Sequence, residues 1–208
     1  MSDLISRSAL IERIENLLAE MKGKLNEPAV EKVELSELEP GDVIETSFGE
    51  MIVLEHIGAA TKIITKEFLK EKQKFDSNSP SFKTSEIRTL LNGDILKMFV
   101  KEFGNDNILP YEVKLTTVDM QQDYGTYTGR IRLITFDEAR EFNELLVNEE
   151  LPDWWWTMTP WSTKKRGWEY SVAVVSPSGY FDDNVCVNGG GVRPVCILKS
   201  NIFVLRKN

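Results

Sequence analysis

The sequence has few of the residues on which catalytic and metal sites most often depend. It contains one histidine, His56, and two cysteines, Cys186 and Cys196, in 208 residues. A single histidine excludes any mechanism that needs two, and two cysteines exclude a scaffold held by several disulfides. The cysteine spacing matches neither CxxC nor a zinc-ligand pattern. We therefore expect two reduced, buried thiols and a hydrogen-bonded structural role for His56.

Long apolar runs and the short motifs of common enzymes are also missing. No apolar stretch approaches the roughly 18 residues that a membrane helix needs, and charges interrupt the N-terminus where a secretory signal would be apolar. GxSxG, GxxxxGK[ST] and HExxH are absent, so the motifs predict no cofactor and no bound metal. We expect a soluble protein made in the cytoplasm, without membrane contact and leaning towards a non-catalytic role.

Basic residues are outnumbered, at 25 against 33 acidic ones, which gives a net charge of −8. This charge repels a phosphate backbone at long range, so nucleic acid is not an expected partner. The densest basic run, Lys164-Lys165-Arg166, is short and typical of a solvated turn. The hydrophobic fraction of 41% indicates a globular protein, and a chain of this length can bury roughly 70% of its unfolded surface.

The chain divides into residues 1–37, an N-terminal helix with a linker, and residues 38–208, one α+β domain. Ser6 is a suitable N-cap for the helix and Gly23 a suitable stop. Its apolar residues recur at steps of three and four, as Ile11, Ile14, Leu17 or Leu18, and Met21. This amphipathic helix is expected to form a homo-oligomer or to pack on its own domain.

Strand and helix patterns in the domain occur in blocks. From Asp42, three β-rich runs predict an antiparallel meander. Residues 85–104 predict two short helices, with Ser85 and Asp94 as N-caps and Asn92-Gly93 as the break between them. Because sequential βαβ alternation is missing, a parallel nucleotide-binding sheet is not expected.

The second half of the domain begins with one more helical pattern. Thr135 and Glu138 have the spacing of a capping box and predict a third helix that ends before Pro152. Residues 176–179 predict a hairpin turn, and residues 188–191 a second turn rich in glycine. The expected fold is α+β, with two to three helices and with antiparallel strands from both ends of the domain in one sheet.

Six motifs follow one another along the domain: SFGEMIVLEHI, SEIRTLLN, RIRLITFDEAREF, WWWTMTPWS, SVAVVSPSGYF and GVRPVCIL. This succession resembles an uncharacterised bacterial and phage-associated family, domain of unknown function 6273. Family members carry WWLRSP-like and GVRPAL-like motifs in this order, and the resemblance spans roughly residues 38–198. The matching residues are Ser85, Ile87, Arg88, Leu91, Asn92, Trp155, Pro160, Gly179, Gly191, Val192, Arg193 and Pro194.

The resemblance implies a C-type-lectin-like fold, the branch shared with formylglycine-generating enzymes and phage receptor-binding proteins. It implies a non-catalytic binding or structural module of prophage or phage origin, with virion association as a further expectation. The alternative is an enzyme of the formylglycine-generating type, or a hydrolase based on a pair such as Asp182-Asp183 or Glu149-Glu150. The wide spacing of Cys186 and Cys196 departs from the paired copper-binding cysteines of those oxidases, and calcium-lectin triplets are absent.

All five tryptophans fall between Trp154 and Trp168. If residues 154–156 form a strand, Trp155 points away from its two neighbours and belongs to the core. Trp161 and Trp168 flank a polar loop, where they either stack on a ligand or cover the sheet. The predicted patch for a protein or carbohydrate ligand comprises Trp161, Lys164, Lys165, Arg166, Trp168, Tyr180, Asp182 and Asp183.

Structural roles are predicted for four residues near the tryptophan cluster and the C-terminus: Trp155, Gly191, Arg193 and Pro194. Arg193 precedes a proline, which favours an extended backbone, and its guanidinium is expected to pair with a buried carboxylate or with backbone carbonyls. Gly191 belongs to the predicted glycine turn. That run precedes a strand, so it lacks the helix N-terminus of a phosphate site.

Overall fold

The computed structural model of the chain describes residues 11–18 and 30–207. Residues 11–18 form helix α1, in which Ile11, Ile14, Leu17 and Leu18 are each about half exposed. The predicted caps Ser6 and Gly23, and the apolar Met21, lie outside the described residues. Self-association through this helix stays a prediction.

Short strands dominate residues 30–207, and the helices are few. The strands are β1 (Val30–Glu34), β2 (Val43–Thr46), β3 (Gly49–Ile57), β4 (Ala60–Thr65), β5 (Lys70–Lys74), β6 (Ile108–Leu109), β7 (Tyr111–Lys114), β8 (Thr126–Gly129), β9 (Ile131–Arg132), β10 (Trp155–Pro160), β11 (Ser171–Val175), β12 (Phe181–Val185), β13 (Gly189–Val192), β14 (Val195–Lys199) and β15 (Phe203–Lys207). The helices are α2 (Glu86–Leu90), α3 (Leu96–Phe103), α4 (Phe136–Glu141) and α5 (Asn143–Leu146).

The larger sheet joins both ends of the domain. Its strand order is β1-β15-β2-β3-β4-β14-β6, with β9 also paired to β14, and every pair is antiparallel. The predicted meander is confirmed as β2, β3 and β4. Strand β1 lies within residues 1–37, for which the sequence predicts a helix followed by a linker. As an edge strand it carries Glu31, Lys32 and Glu34, and charge is common on sheet edges because it discourages further pairing.

The smaller sheet has the order β12-β11-β10-β13-β5, and β7 pairs with β8 in a separate ribbon. Strands β10 and β13 are parallel, with Trp155 opposite Gly191, whereas the other pairs of this sheet are antiparallel. The predicted hairpin around residues 176–179 is confirmed as β11 and β12. The protein is therefore an α+β structure with mostly antiparallel sheets and few helices.

Two apolar clusters hold the layers together. The central core includes Met51, Val53, Phe75, Phe99 and Trp156, whereas the outer core includes Ile52, Leu54, Ile64, Trp155 and Val195. Successive residues of β3 alternate between these clusters, so both faces of this strand are covered. Residues of β10 alternate in the same way, which places Trp155 in the outer core and Trp156 in the central core.

The helical segment 85–104 differs from the sequence prediction at its centre. Ser85 is the N-cap of α2, since its Oγ accepts a hydrogen bond from the Arg88 backbone N–H at 3.1 Å. Asn92-Gly93 does not break the segment, because a π-helical turn, Leu91–Ile95, joins α2 to α3, so Asp94 is not an N-cap. The Asn92 amide lies 3.0 Å from the Ile131 carbonyl and anchors this turn to the sheet.

The predicted glycine turn at residues 188–191 is wrong, because Gly189 to Gly191 lie in strand β13. Their requirement for glycine comes from large neighbours that lie against the backbone. A Cβ on Gly190 would lie 2.7 Å from Trp156 Nε1, and a Cβ on Gly191 would lie 2.3 Å from the Phe68 ring. These glycines therefore allow aromatic rings to approach the strand closely.

The substitution Gly190→Ala should lower the free energy of unfolding by about 1–3 kcal/mol, because the added methyl overlaps a fully buried indole. Urea unfolding of the full chain measures this loss. Gly93→Ala is the matched control, since a Cβ there meets nothing within 4 Å. Equal stability of Gly190→Ala and the wild type would contradict the close packing of β13 on Trp156.

Candidate functional site

The tryptophan cluster is divided between the interior and the surface. Trp155 and Trp156 are fully buried, in the outer core and the central core respectively, as strand alternation requires. Trp154 packs against the central core but is only partly buried. Trp161 is partly buried and Trp168 is 44% exposed, with 6.5 Å between their ring centroids. Three indoles are thus accessible to a partner.

The basic loop between Trp161 and Trp168 pairs its charges within the chain. Lys164 lies 3.9 Å from Glu169, Lys165 lies 3.3 Å from Asp123, and Arg166 lies 2.8 Å from Asp119. Of these pairs, only that of Arg166 is a close hydrogen-bonded contact, since both lysine side chains are 84% exposed. The loop therefore offers an aromatic surface beside two solvated lysines that have acidic neighbours.

Asp119 holds the basic loop in place from a different segment. Its carboxylate accepts hydrogen bonds from the Thr117 hydroxyl at 2.6 Å, the Ser162 hydroxyl at 2.7 Å and Arg166 Nη1 at 2.8 Å. The Thr117 hydrogen bond, with smaller contributions from Ser162 and Arg166, lowers the pKa of Asp119 below its usual range. An ionised Asp119 thus organises the turn that carries Trp161.

The structure does not bring all residues of the predicted patch together. Trp161 donates its backbone N–H to Ser171, at the start of β11, whereas Tyr180 lies in the turn that follows the end of β11. The length of β11 separates them by about 13 Å at the usual rise of a strand. Tyr180 is 73% exposed and stands apart from both tryptophans. The predicted patch is therefore two separate surfaces.

Asp182 and Asp183 instead line a pocket that contains Trp154. Cross-strand register places Asp182 opposite Val174, and Val174 opposite Trp156, so these residues share one face of the smaller sheet. Trp154 precedes Trp156 by two residues and packs on the same core. The pocket has a volume of about 360 Å³ and is lined by Asp153, Trp154, Val174, Asp182, Asp183, Asn184 and Gly189.

The Trp154 pocket combines an aromatic surface with hydrogen-bond acceptors. Asp153, Asp182 and Asp183 take part in none of the salt bridges found within residues 30–207. An ionised carboxylate only accepts hydrogen bonds, whereas the amide of Asn184 accepts and donates. In the described part of the chain, no group of three or more His, Cys, Asp and Glu side chains could hold a metal ion.

Sequence reasoning missed Trp154, Asp153, Asn184 and Gly189 as site residues. Part of the pocket could be found from the sequence, because the sequence predicts the hairpin of β11 and β12 and places Asp182 and Asp183 in the ligand patch. What local patterns do not show is that β10 is the other neighbour of β11, which brings Trp154 to the face that carries Asp182.

His56, Cys186 and Cys196 all have structural environments. His56 Nε2 donates to the Leu38 carbonyl at 2.7 Å, which leaves Nδ1 to accept from the Thr61 hydroxyl at 2.8 Å. Both cysteines are buried free thiols, and burial raises the pKa of each, most strongly for Cys196. Neither therefore offers the accessible thiolate that the copper-oxidase alternative needs.

Comparison with known proteins confirms the family resemblance over the second half of the chain. Residues 119–200 match the family model described as "Domain of unknown function (DUF6273)". This span contains the basic loop and every residue that lines the Trp154 pocket. No curated protein and no solved structure matches the chain.

Among the described residues, no helix has the length and apolar character needed to cross a membrane.

Proposed function

We propose that this protein is a non-catalytic binding module that takes a carbohydrate in the Trp154 pocket. The observation that carries the proposal is the combination of a partly buried indole with the carboxylate of Asp182 and the amide of Asn184 around one cavity of about 360 Å³. Ligand pockets usually combine a mostly apolar wall with a few polar groups that fix orientation.

Carbohydrate chemistry fits this combination. The face of a sugar ring is lined by C–H groups and packs on an indole, while its hydroxyls donate hydrogen bonds to carboxylates and amides. Hydrogen bonds to an ionised acceptor such as Asp182 are stronger than those between neutral groups. Because the neighbouring carboxylates lack cationic partners in the described residues, a neutral or basic sugar suits the pocket better than an acidic one.

The basic loop is the weaker of the two candidate surfaces. Its lysines and its arginine are paired with acidic residues, and Trp161 is partly covered. The exposed Trp168 provides contact area for a protein partner, on a surface separate from the Trp154 pocket. We therefore assign ligand recognition to Trp154 and Asp182.

We further propose a C-type-lectin-like scaffold and a phage or prophage origin, with virion association. The order of the sequence motifs supports both. The pairing of β1 with β15 is compatible with such a scaffold, because it joins a strand near the N-terminal end of the domain to the strand at its C-terminal end. A partner glycan on a cell surface would suit a module of this origin.

A glycan array probed with the full chain, followed by calorimetric titration of the strongest ligand, tests the function. Trp154→Ala should weaken binding roughly 10-fold to 100-fold, because a central aromatic contact is lost. Asp182→Asn should weaken it less, since the amide keeps the shape but not the charge. Circular dichroism checks that both variants fold.

Trp168→Ala is the matched control, because it removes an exposed indole outside the pocket. It should change affinity by less than about threefold. Loss of binding in Trp168→Ala with full binding in Trp154→Ala would move the site to the basic loop. If the folded wild-type chain binds no glycan on the array, the proposal of carbohydrate recognition is wrong.

A further inference from the structure

A second cavity lies where the π-helical turn and helix α3 meet Arg130, the residue between β8 and β9. This cavity, the α3 pocket, has a volume of about 440 Å³ and shares no residue with the Trp154 pocket. Leu96 and Val100 of α3 line it, and both pack against the central core. Pockets of this size hold small organic molecules, and a wall fixed by the core suits such a ligand.

Three cationic side chains line the α3 pocket: Lys97, Lys101 and Arg130. Among the described residues, no aspartate or glutamate lines it. Lys97 lies 2.9 Å from Asp94, but both side chains are highly exposed, and such a pair offsets little charge. Neither Lys101 nor Arg130 takes part in a salt bridge within residues 30–207. The pocket is therefore positively charged, although the whole chain is acidic.

Arg130 is held in position by neutral acceptors. Its Nε donates to the Ile108 carbonyl at 3.3 Å, its Nη1 to Asn105 Oδ1 at 3.0 Å and its Nη2 to the Asn105 carbonyl at 2.6 Å. Asn105 also lines the pocket, so the hydrogen-bonded pair forms part of its wall. A guanidinium has five N–H donors, and these contacts leave two of them for a ligand. A cation that is fixed in advance loses little freedom when a ligand binds.

Arg193, for which the sequence predicts a structural role, shows the contrast. It is fully buried, and it donates to the Thr65 and Leu146 carbonyls, both at 2.9 Å. Backbone carbonyls are one of the two environments that the sequence predicts for it. Arg130 is only partly buried and shares its cavity with exposed lysines, so a ligand from solution can reach it.

The helical side of the α3 pocket has an unusual backbone. Asn92 and Gly93 line the pocket, and both belong to the π-helical turn Leu91–Ile95. Turns of this kind are rare and occur frequently at functional sites. A Cβ on Gly93 would meet no atom within 4 Å, so close packing does not require glycine at this position. The absence of a side chain at Gly93 leaves part of the pocket wall as bare backbone.

We propose that the α3 pocket binds a small organic carboxylate that carries a short apolar chain. The carboxylate accepts hydrogen bonds from Arg130 and the two lysines, while the chain packs on Leu96 and Val100. Inorganic phosphate would leave this apolar wall uncovered, and a cationic ligand would be repelled by three positive charges. The site is a second one, and it does not depend on carbohydrate recognition at Trp154.

Titration of the full chain with acetate, butanoate and hexanoate, followed by amide NMR at constant ionic strength and pH 7, tests the proposal. The amide signals of Gly93 and Asn105 should shift saturably, whereas those of Asp182 and Asn184 in the Trp154 pocket should not. The Kd should fall roughly two- to fourfold for each added methylene, because each one buries further apolar surface.

Hexylammonium and inorganic phosphate distinguish the charge of the ligand from its apolar chain. Hexylammonium should not bind, and phosphate should bind more weakly than hexanoate. The proposal is overturned if no carboxylate produces a saturable shift at the α3 pocket. It is equally overturned if phosphate binds there more tightly than hexanoate, or if hexylammonium binds as tightly.

Variants of the cations assign the site. Arg130→Gln should raise the Kd for hexanoate roughly tenfold or more, because it removes hydrogen bonds to a charged acceptor. Lys101→Gln, at an exposed position where folding is not at risk, should raise the Kd roughly threefold. Lys164→Gln is the matched control, since Lys164 is 84% exposed and lies outside the pocket. An unchanged Kd in both Arg130→Gln and Lys101→Gln would contradict the assigned site.

Discussion

Glu138→Gln should lower the free energy of unfolding by about 3–5 kcal/mol, because it leaves two buried cations without their shared counter-ion. Lys62 is 3% exposed and Arg132 is 2% exposed. Arg132 donates to both carboxylate oxygens of Glu138, at 2.7 and 2.6 Å, and Lys62 Nζ lies 2.6 Å from Glu138 Oε1. Glu55 remains as a second partner for Lys62. Most of the expected loss in the free energy of unfolding therefore comes from Arg132.

The same cluster makes stability depend on pH. Burial raises the pKa of Glu138, but Arg132 and then Lys62 outweigh it and bring the pKa to about 2, below the ordinary value of 4.5. Since the pKa is lower in the folded state, the stabilisation is complete above pH 4.5 and is lost as the pH falls towards 2.

Urea unfolding of the wild type and of Glu138→Gln at pH 7 and at pH 3 measures both effects. The difference in free energy of unfolding between the two proteins should be large at pH 7 and smaller at pH 3, where Glu138 is protonated in the unfolded state but still mostly ionised in the folded state. Asp94→Asn is the control, because Asp94 forms an exposed pair with Lys97 and should leave the unfolding midpoint unchanged. If the difference in free energy of unfolding between the wild type and Glu138→Gln does not change with pH, Glu138 is not charged in the folded state.

Local patterns predicted the helix that presents Glu138 but not the partners of its carboxylate. The capping box is confirmed: Thr135 Oγ1 accepts from the Glu138 backbone N–H, and the Glu138 side chain accepts from the Thr135 backbone N–H. Lys62 lies on β4, distant in the sequence, and its pairing with Glu138 depends on the strand order of the larger sheet. Capping is a local property, whereas ion pairing across a sheet depends on topology.

In the candidate site, too, the sequence predicts the local features but not those that depend on strand order. Alternation along β10 correctly separated Trp155 from Trp156, because side-chain direction in a strand follows from residue parity. The glycines of β13 look like a turn when they are considered alone. The Trp156 ring that requires Gly190, and the Phe68 ring that requires Gly191, come from other strands and loops. Proximity in sequence likewise grouped Asp182 with Trp168, although the register of β11 places it with Trp154.

Trp156→Ala should lower the free energy of unfolding by about 3–5 kcal/mol, the range typical of a fully buried large aromatic. Trp156 packs edge-on against Phe75, with 5.7 Å between ring centroids, and its Nε1 donates to the Gln73 carbonyl at 2.7 Å. It thereby connects β10 to β5, and it lies against β13 at Gly190. Loss of the indole leaves a cavity where three strands of the smaller sheet meet.

Trp156→Phe separates the effect of the cavity on stability from the effect of the lost hydrogen bond. Phenylalanine keeps much of the volume but leaves the Gln73 carbonyl without its donor, so the loss should be smaller than for alanine, at about 1–3 kcal/mol. Trp168→Ala should change the free energy of unfolding by less than about 0.5 kcal/mol, because that side chain is exposed. Urea unfolding followed by circular dichroism compares all three without relying on tryptophan fluorescence.

The response of the Trp154 pocket to these variants links stability to recognition. Trp154 lies two residues from Trp156 on the same face, so a cavity at Trp156 removes part of the surface on which Trp154 rests. If the proposed carbohydrate site is correct, Trp156→Ala should weaken carbohydrate binding even at temperatures where the chain is fully folded, whereas Trp168→Ala should not. Unchanged affinity in folded Trp156→Ala would mean that β10 and the β11–β12 hairpin alone position Trp154, without support from the central core.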